Sequence, residues 1–178
     1  MQAVLVVAFE FAACLGLGAA ALKMLRVLPD LQAGDRYLWS FVLGFGLLGW
    51  FLFALGAAGL FQTVPFLIFL GTCSAGVFLL PAPVLSRPEW GGLFGNLLIL
   101  AALFVLSVDI LEGLAPPADA DSLAYHYALP KRFLSAGKLE FVPRAVDGAA
   151  PLLVQMSYVP ALALGGEGAL VLWSMVTG

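Results

Sequence analysis

Four runs of apolar residues dominate the first two thirds of this chain. They cover residues 3–22, 37–60, 64–80 and 93–114, and few charged side chains interrupt them. About 20 consecutive apolar residues are needed to cross the hydrocarbon core of a bilayer as a helix. Within a bilayer every backbone polar group must find its partner inside the protein, and a helix meets that requirement. The runs therefore predict an integral membrane protein built from transmembrane helices.

The composition agrees with a membrane location, and the chain lacks the net positive charge that is typical of a nucleic-acid-binding protein. Of the 178 residues, 62% are hydrophobic and 11% are charged, and the mean hydropathy is +1.04. Soluble domains carry about 25% charged residues. The net charge of −3 provides no basic surface for DNA or RNA, so no nucleic-acid partner is expected.

The end of the sequence predicts more membrane helix than the chain contains. Residues 151–164 form a fifth apolar run that is short and contains Pro160, and residues 169–178 begin a sixth that is too short to cross. A helix that stopped inside the bilayer would leave backbone groups unsatisfied. We therefore expect an all-α membrane protein, a polytopic bundle of about five or six spans, of which this chain is the N-terminal portion.

Glycine patterns inside the apolar runs are typical of helix packing. Gly44, Gly46 and Gly49 match the spacing of a dinucleotide-binding loop, but they lie in mid-span, with no strand before them and no acidic residue about 20 positions further on. Gly91 and Gly95 have the spacing that lets two membrane helices approach closely. These glycines predict contacts between helices and not a nucleotide cofactor.

A polar segment, residues 116–151, separates the fourth apolar run from the fifth. It holds the only histidine, His126, four of the eight lysines and arginines, and the closely spaced carboxylates Asp119 and Asp121. Either carboxylate can cap a short helix from about Ser122, which Pro130 is expected to bend because it lacks a backbone N–H. The segment thus predicts one loop, residues 115–150, that carries a short amphipathic helix. Its apolar stripe would consist of Leu123, Tyr127, Pro130 and Leu134.

The side chains of this loop suit a reaction on an anionic substrate at a membrane. A carboxylate can act as a general base, and Asp119 and Asp121 together can hold a divalent cation through oxygen ligands. Lys131 and Arg132 can neutralise a phosphate. Structural roles stay open for each: Asp121 as a helix cap, His126 bonded to a neighbouring carbonyl, and the two cations extended toward lipid headgroups.

The charge distribution favours one orientation of this loop. Residues 23–36 carry Lys23, Arg26 and Arg36, a higher density of positive charge than residues 115–150 have. Because short loops rich in lysine and arginine tend to stay in the cytoplasm, we expect loop 23–36 to be cytoplasmic. The N-terminus and loop 115–150 would then lie outside.

Part of the chain resembles bacterial GT-C-type membrane glycosyltransferases, in particular the family 39-like group that includes protein O-mannosyltransferases and aminoarabinose transferases. The matching residues run from Asp121 to Lys131 (DSLAYHYALPK), followed by Gly137 and by PLLVQMSY at residues 151–158. The region of resemblance covers residues 93–166, less than half of the chain. It implies an N-terminal unit of three spans, residues 1–92, and the start of a GT-C-like module at residues 93–178.

The resemblance also implies a mechanism and a set of site residues. In that family a carboxylate just after a membrane helix, in the first large loop outside the cytoplasm, acts as a base on the acceptor. Asp121 holds that position and Asp119 is the second candidate. The donor is a polyprenyl-phosphate sugar, and the location is the bacterial inner membrane. The implied substrate contacts are Tyr125, His126, Lys131 and Arg132.

The chain departs from that family in two respects. Gln155 stands where relatives carry an acidic residue, and three spans precede the matching helix. Because GT-C enzymes have many more helices, we expect this chain to be inactive without the remaining helices of a longer polypeptide or a partner subunit. Its other expected partners are the bilayer, the lipid-linked sugar and an unidentified acceptor. No cofactor is certain, and a divalent cation on Asp119 and Asp121 stays an alternative.

Two other functions are compatible with the sequence. One is a non-catalytic membrane protein, either truncated or a small subunit, whose polar loop docks a partner. The other is a piece of a transporter, in which Glu10 and Asp109 would be intramembrane ionisable groups. Because Asp109 lies near the end of its span, the transporter is the least favoured of the three.

Overall fold

The computed structural model describes residues 1–82, 92–113, 126–143 and 153–177. Within these ranges no strand is present, and four helical stretches are long and apolar enough to cross a membrane: Gln2–Met24, Ala33–Ala57, Gly92–Leu111 and Leu153–Thr177. Thr63–Leu79 is a shorter apolar helix that ends in a 3₁₀ turn. The predicted all-α membrane bundle is confirmed. The helices are α1 (Gln2–Met24), α2 (Ala33–Ala57), α3 (Thr63–Ser74), α4 (Gly92–Gly113), α5 (Ala128–Ala136) and α6 (Leu153–Thr177).

The centre of the bundle is an antiparallel pair, α1 and α2, whose backbones come into direct contact. Gly18 lies against the backbone of Ser40, and Gly44 lies against the backbone of Cys14. A Cβ atom on either glycine would overlap a carbonyl oxygen of the facing helix. In membranes such close approach brings van der Waals contacts that larger side chains would prevent.

The dinucleotide-like glycine pattern lies inside α2 and serves packing at two of its three positions. Gly44 contacts α1, and a Cβ on Gly49 would lie 2.7 Å from the carbonyl oxygen of Leu153 in α6. Gly46 meets no atom of the described residues within 4 Å. The predicted helix contacts are therefore confirmed for Gly44 and Gly49, and Gly46 makes none with the described residues.

Helix α6 is long enough to cross a membrane, but it doubles back on itself. The indole Nε1–H of Trp173 donates to Oγ of Ser157 at 2.9 Å, across 16 positions of sequence. In a straight helix that separation would be about 24 Å. The reversal lies at Gly166, whose φ of 71° and ψ of −168° belong to a region essentially restricted to glycine. α6 is therefore a helical hairpin with arms 153–165 and 167–177.

The hairpin contains the last two apolar runs of the sequence. Runs 151–164 and 169–178 fall on its two arms. Pro160 is fully buried within the first arm, and the sharp change of direction occurs six positions later, at Gly166. The physical reason is that the backbone reversal needs a positive φ, which glycine adopts without a steric penalty.

The hairpin predicts a short distance between its two ends. We expect spin labels on V154C and V176C, exposed positions on opposite arms, to lie roughly 10–20 Å apart, because packed helices are separated by about 8–10 Å. A straight α6 would hold these positions about 33 Å apart. Electron paramagnetic resonance in lipid vesicles measures this distance, with alanine replacing the buried Cys14 and Cys73. A distance near that of the straight helix would contradict the hairpin.

The hairpin turn, the N-terminus and α5 lie at one end of the bundle. The side-chain amide of Gln2 donates to the carbonyl of Leu164 at 2.9 Å, which places the hairpin turn beside the start of α1. The backbone N–H of Phe61 donates to the carbonyl of Gly137 at 3.1 Å, and that of Leu139 donates to Gly56 at 2.9 Å. These bonds fasten the end of α5 to the connection between α2 and α3. Because α1 and α2 are antiparallel, the described part of the polar loop lies on the same side as the N-terminus.

Candidate functional site

The described part of the polar loop is organised around α5, which packs on the α6 hairpin. One face of α5 is buried and the other carries Lys131 and Arg132, which are exposed. Gly137, with φ of 70°, ends the helix in the left-handed conformation that favours glycine. The predicted amphipathic helix is confirmed for residues 128–136, and its predicted start, residues 122–125, lies outside the described residues. The buried face consists of Leu129, Pro130 and Phe133.

Pro130 lies near the start of α5 as the structure describes this helix. The structure starts α5 at Ala128, so Pro130 falls in the first turn. There a missing backbone N–H costs little, because the first N–H groups of a helix have no intrahelical acceptor. The predicted bend concerns a helix from about Ser122, and because residues 122–125 lie outside the described residues, it stays a prediction.

Tyr127, immediately before α5, contacts both arms of the hairpin. Its hydroxyl lies 2.7 Å from the hydroxyl of Ser174 in the second arm. Its ring packs edge-on against Tyr158 in the first arm, with 6.1 Å between ring centroids. The start of α5 is therefore held by a hydrogen bond and an aromatic contact that come from two different arms.

His126 is held at its ring by a glutamine of the hairpin. Nε2 of Gln155 lies 2.6 Å from Nδ1 of the imidazole. Gln155 is only 6% exposed and occupies the first turn of the first arm. The neighbouring Tyr127 is also bound to the hairpin, so the backbone and the ring of His126 are both fixed relative to α6.

The two cations of α5 form ion pairs with carboxylates on different elements. Nζ of Lys131 lies 2.7 Å from Oε1 of Glu167, next to the hairpin turn. Nε of Arg132 lies 3.6 Å from Oε2 of Glu140, in the segment that follows α5. The side chains of all four are about one third to two thirds exposed, and exposed pairs contribute only about 0–1 kcal/mol. An anionic ligand can therefore compete for either cation at small energetic cost.

Half of the predicted site residues fall within the described ranges. His126, Lys131 and Arg132 lie on α5 or immediately before it. His126 and Lys131 are brought against the hairpin, whereas Arg132 pairs with Glu140 and does not join them there. The catalytic candidates and one substrate contact lie outside the described residues and stay predictions: Asp119, Asp121 and Tyr125.

The sequence analysis gave no role to the two residues of α6 that contact His126 and Lys131. Gln155 and Glu167 each contact a predicted site residue from more than 25 positions away. Both are polar residues among apolar neighbours, in VQM and GEG. A polar side chain within a membrane segment is expensive unless it has a partner, and that was the signal available in the sequence.

The alternative groups, Glu10 and Asp109, have contrasting surroundings. Glu10 is completely buried in α1, and neither of its carboxyl oxygens has a hydrogen-bond partner among the described residues. Asp109 is exposed on α4. In the part of the chain that the structure describes, no three metal-binding side chains cluster. Asp119 and Asp121, the pair considered for a divalent cation, are outside that part.

Comparison with known proteins gives no relative for this chain: no protein-family model, curated protein or solved structure matches it.

Proposed function

We propose that this chain forms part of a GT-C-like membrane glycosyltransferase, which transfers a sugar from a polyprenyl-phosphate donor to an acceptor outside the cytoplasm. Its location would be the plasma membrane of a bacterium, with loop 115–150 facing outward. The proposal starts from the DSLAYHYALPK motif. The all-α membrane fold and the position of α5 beside the N-terminal end of the bundle support it.

One structural observation carries the proposal beyond the motif. A short helix with an imidazole at its start and two cations on its exposed face is fixed, side chain by side chain, to a hairpin of apolar helices. This combination suits a lipid-linked phosphate, because the lipid can lie against an apolar surface while the phosphate finds donors and positive charge beside it. The loop segment with Asp119 and Asp121 leads directly into this helix in the sequence.

In this mechanism the residues have separate roles. Asp121, with Asp119 as the second candidate, takes the proton from an acceptor hydroxyl, whose oxygen then bonds to the anomeric carbon of the sugar. The bond between that carbon and the phosphate oxygen breaks, and the polyprenyl phosphate leaves with its negative charge. Lys131 and Arg132 stabilise that charge, while Tyr125 and His126 contact the substrate.

The proposal predicts that Asp121→Asn abolishes transfer. A general base contributes about 10²- to 10⁴-fold to a rate, so we expect a loss of that order with the variant still inserted in the membrane. The assay uses the polypeptide that the complete gene encodes, reconstituted in vesicles with a series of synthetic polyprenyl-phosphate sugars. Asp119→Asn tests the second candidate in the same preparation.

Asp30→Asn is the matched control, because Asp30 is exposed in the loop after α1 and should transfer at the wild-type rate. Full activity of Asp121→Asn would remove Asp121 from the mechanism. No transfer by the wild-type protein from any donor would instead favour the non-catalytic membrane protein.

A further inference from the structure

The ion pair between Lys131 and Glu167 joins two parts of the bundle whose backbones are held in place. Lys131 belongs to α5, which packs on the α6 hairpin. Glu167 directly follows Gly166, the reversal of the hairpin, and the nearby carbonyl of Leu164 accepts a hydrogen bond from Gln2. The two paired side chains, in contrast, are 45% and 68% exposed. The pair can therefore open and close by side-chain rotation while both helices stay in position.

The two ion pairs of α5 differ in how closely their charges meet. Nζ of Lys131 lies 2.7 Å from Oε1 of Glu167, the usual distance of a charge-assisted hydrogen bond. Nε of Arg132 lies 3.6 Å from Oε2 of Glu140, which is beyond hydrogen-bond distance. An incoming anion thus meets Arg132 with a loosely held partner, but it can bind Lys131 only by displacing the carboxylate of Glu167.

The carboxylates decide how much positive charge α5 presents. With both pairs closed, the four side chains carry no net charge, since the two cations are matched by two carboxylates. Because an exposed ion pair contributes little to stability, a phosphate can open the pair of Lys131, and the pair can form again when the phosphate leaves. We propose that Glu167 is a displaceable counter-ion of Lys131, which an alkyl phosphate must replace in order to bind at α5.

The inference also gives Glu167 a role in product release, and this step rests on the proposed function. The donor is a phosphodiester with one negative charge, whereas the product, polyprenyl phosphate, is a monoester that carries nearly two at neutral pH. Lys131 and Arg132 therefore hold the product more tightly than the donor, and its slow departure would limit turnover. The carboxylate of Glu167 stays tethered beside Lys131 and closes the pair again as the product dissociates.

The experiment measures the binding of dodecyl phosphate, an analogue of the product, to the polypeptide that the complete gene encodes. The protein is held in nanodiscs of phosphatidylcholine, a lipid without net charge, and calorimetric titration gives the affinity. We expect Glu167→Gln to bind dodecyl phosphate about twofold to fivefold more tightly, the range that corresponds to the loss of one exposed competing ion pair. In a Lys131→Met background the same substitution should have no effect, because no ammonium group is left for it to release.

Asp35→Asn is the control, since it removes an exposed carboxylate at the start of α2, the end remote from α5, and should leave the affinity unchanged. Inorganic phosphate lacks the alkyl chain and should bind more weakly than dodecyl phosphate, so equal affinities would contradict a lipid-linked ligand. A wild-type affinity of Glu167→Gln would overturn the inference, as would an equal gain with and without Lys131.

The transfer assay tests the role in product release separately. Polyprenyl phosphate should inhibit Glu167→Gln at a concentration about twofold to fivefold lower than the one that inhibits the wild type. If dodecyl phosphate binds as expected but no donor supports transfer, the counter-ion inference holds and the proposed function fails. If transfer occurs and the product inhibits both proteins alike, Glu167 has no part in its release.

Discussion

Gly44→Val is expected to force α1 and α2 apart and to lower the free energy of unfolding by about 3 kcal/mol, the upper end of typical overpacking costs. The Cβ of the new side chain would overlap the carbonyl oxygen of Cys14. A backbone atom cannot move aside as a flexible side chain does, so the whole helix must shift. In a bilayer the association of these helices depends on close packing, and that packing is lost along the contact. Equilibrium unfolding in mixed detergent micelles measures the difference.

The same substitution two positions further along α2 provides the control. Gly46 meets no described atom within 4 Å, so Gly46→Val should change the free energy of unfolding by less than about 0.5 kcal/mol, since valine has a slightly better helix propensity than glycine. Gly18→Val should repeat the Gly44 result, because Gly18 contacts Ser40 across the same interface. Equal stability of the Gly44 and Gly46 variants would contradict the close approach of α1 and α2.

The apolar runs predicted the helices well because the bilayer leaves a polypeptide few alternatives. Residues 3–22 and 37–60 correspond to α1 and α2, and 93–114 corresponds to α4. The α6 hairpin could not be predicted in the same way, because apolar residues are equally suited to a straight helix and to a folded one. The difference lies in the backbone angles of one residue, Gly166. The adjacent pair Gly165–Gly166 was the available sign of a turn.

The candidate site shows the same division between local and long-range information. That α5 is amphipathic follows from helical periodicity, but its buried face, Leu129, Pro130 and Phe133, shares only Pro130 with the predicted stripe. The contact between His126 and Gln155 does not follow from periodicity, since Gln155 is 29 positions away and belongs to another element. In the sequence Gln155 is a departure from a family pattern, and its contact with the imidazole depends on how α5 packs on the hairpin.

The stability of the bundle is expected to rise when the carboxyl group of Glu10 is removed. Glu10 is fully buried in α1, and neither oxygen has a partner among the described residues. Measured on proteins, burying a polar group without a hydrogen bond costs about 1–3 kcal/mol. We therefore expect Glu10→Leu, which has a similar size and no polar atoms, to raise the free energy of unfolding by about that amount. The measurement is the same micelle titration.

Glu10→Gln separates the effect of polarity from that of shape. Glutamine keeps both the size and the polar atoms, so its free energy of unfolding should stay within about 0.5 kcal/mol of the wild type. A loss of stability in Glu10→Leu would mean that the carboxyl group has a partner beyond the described residues, and such a group would regain interest as part of an ion pathway. If Glu10→Leu is more stable and transfers sugar at the wild-type rate, Glu10 is a tolerated polar residue, and the transporter alternative loses one of its two ionisable groups.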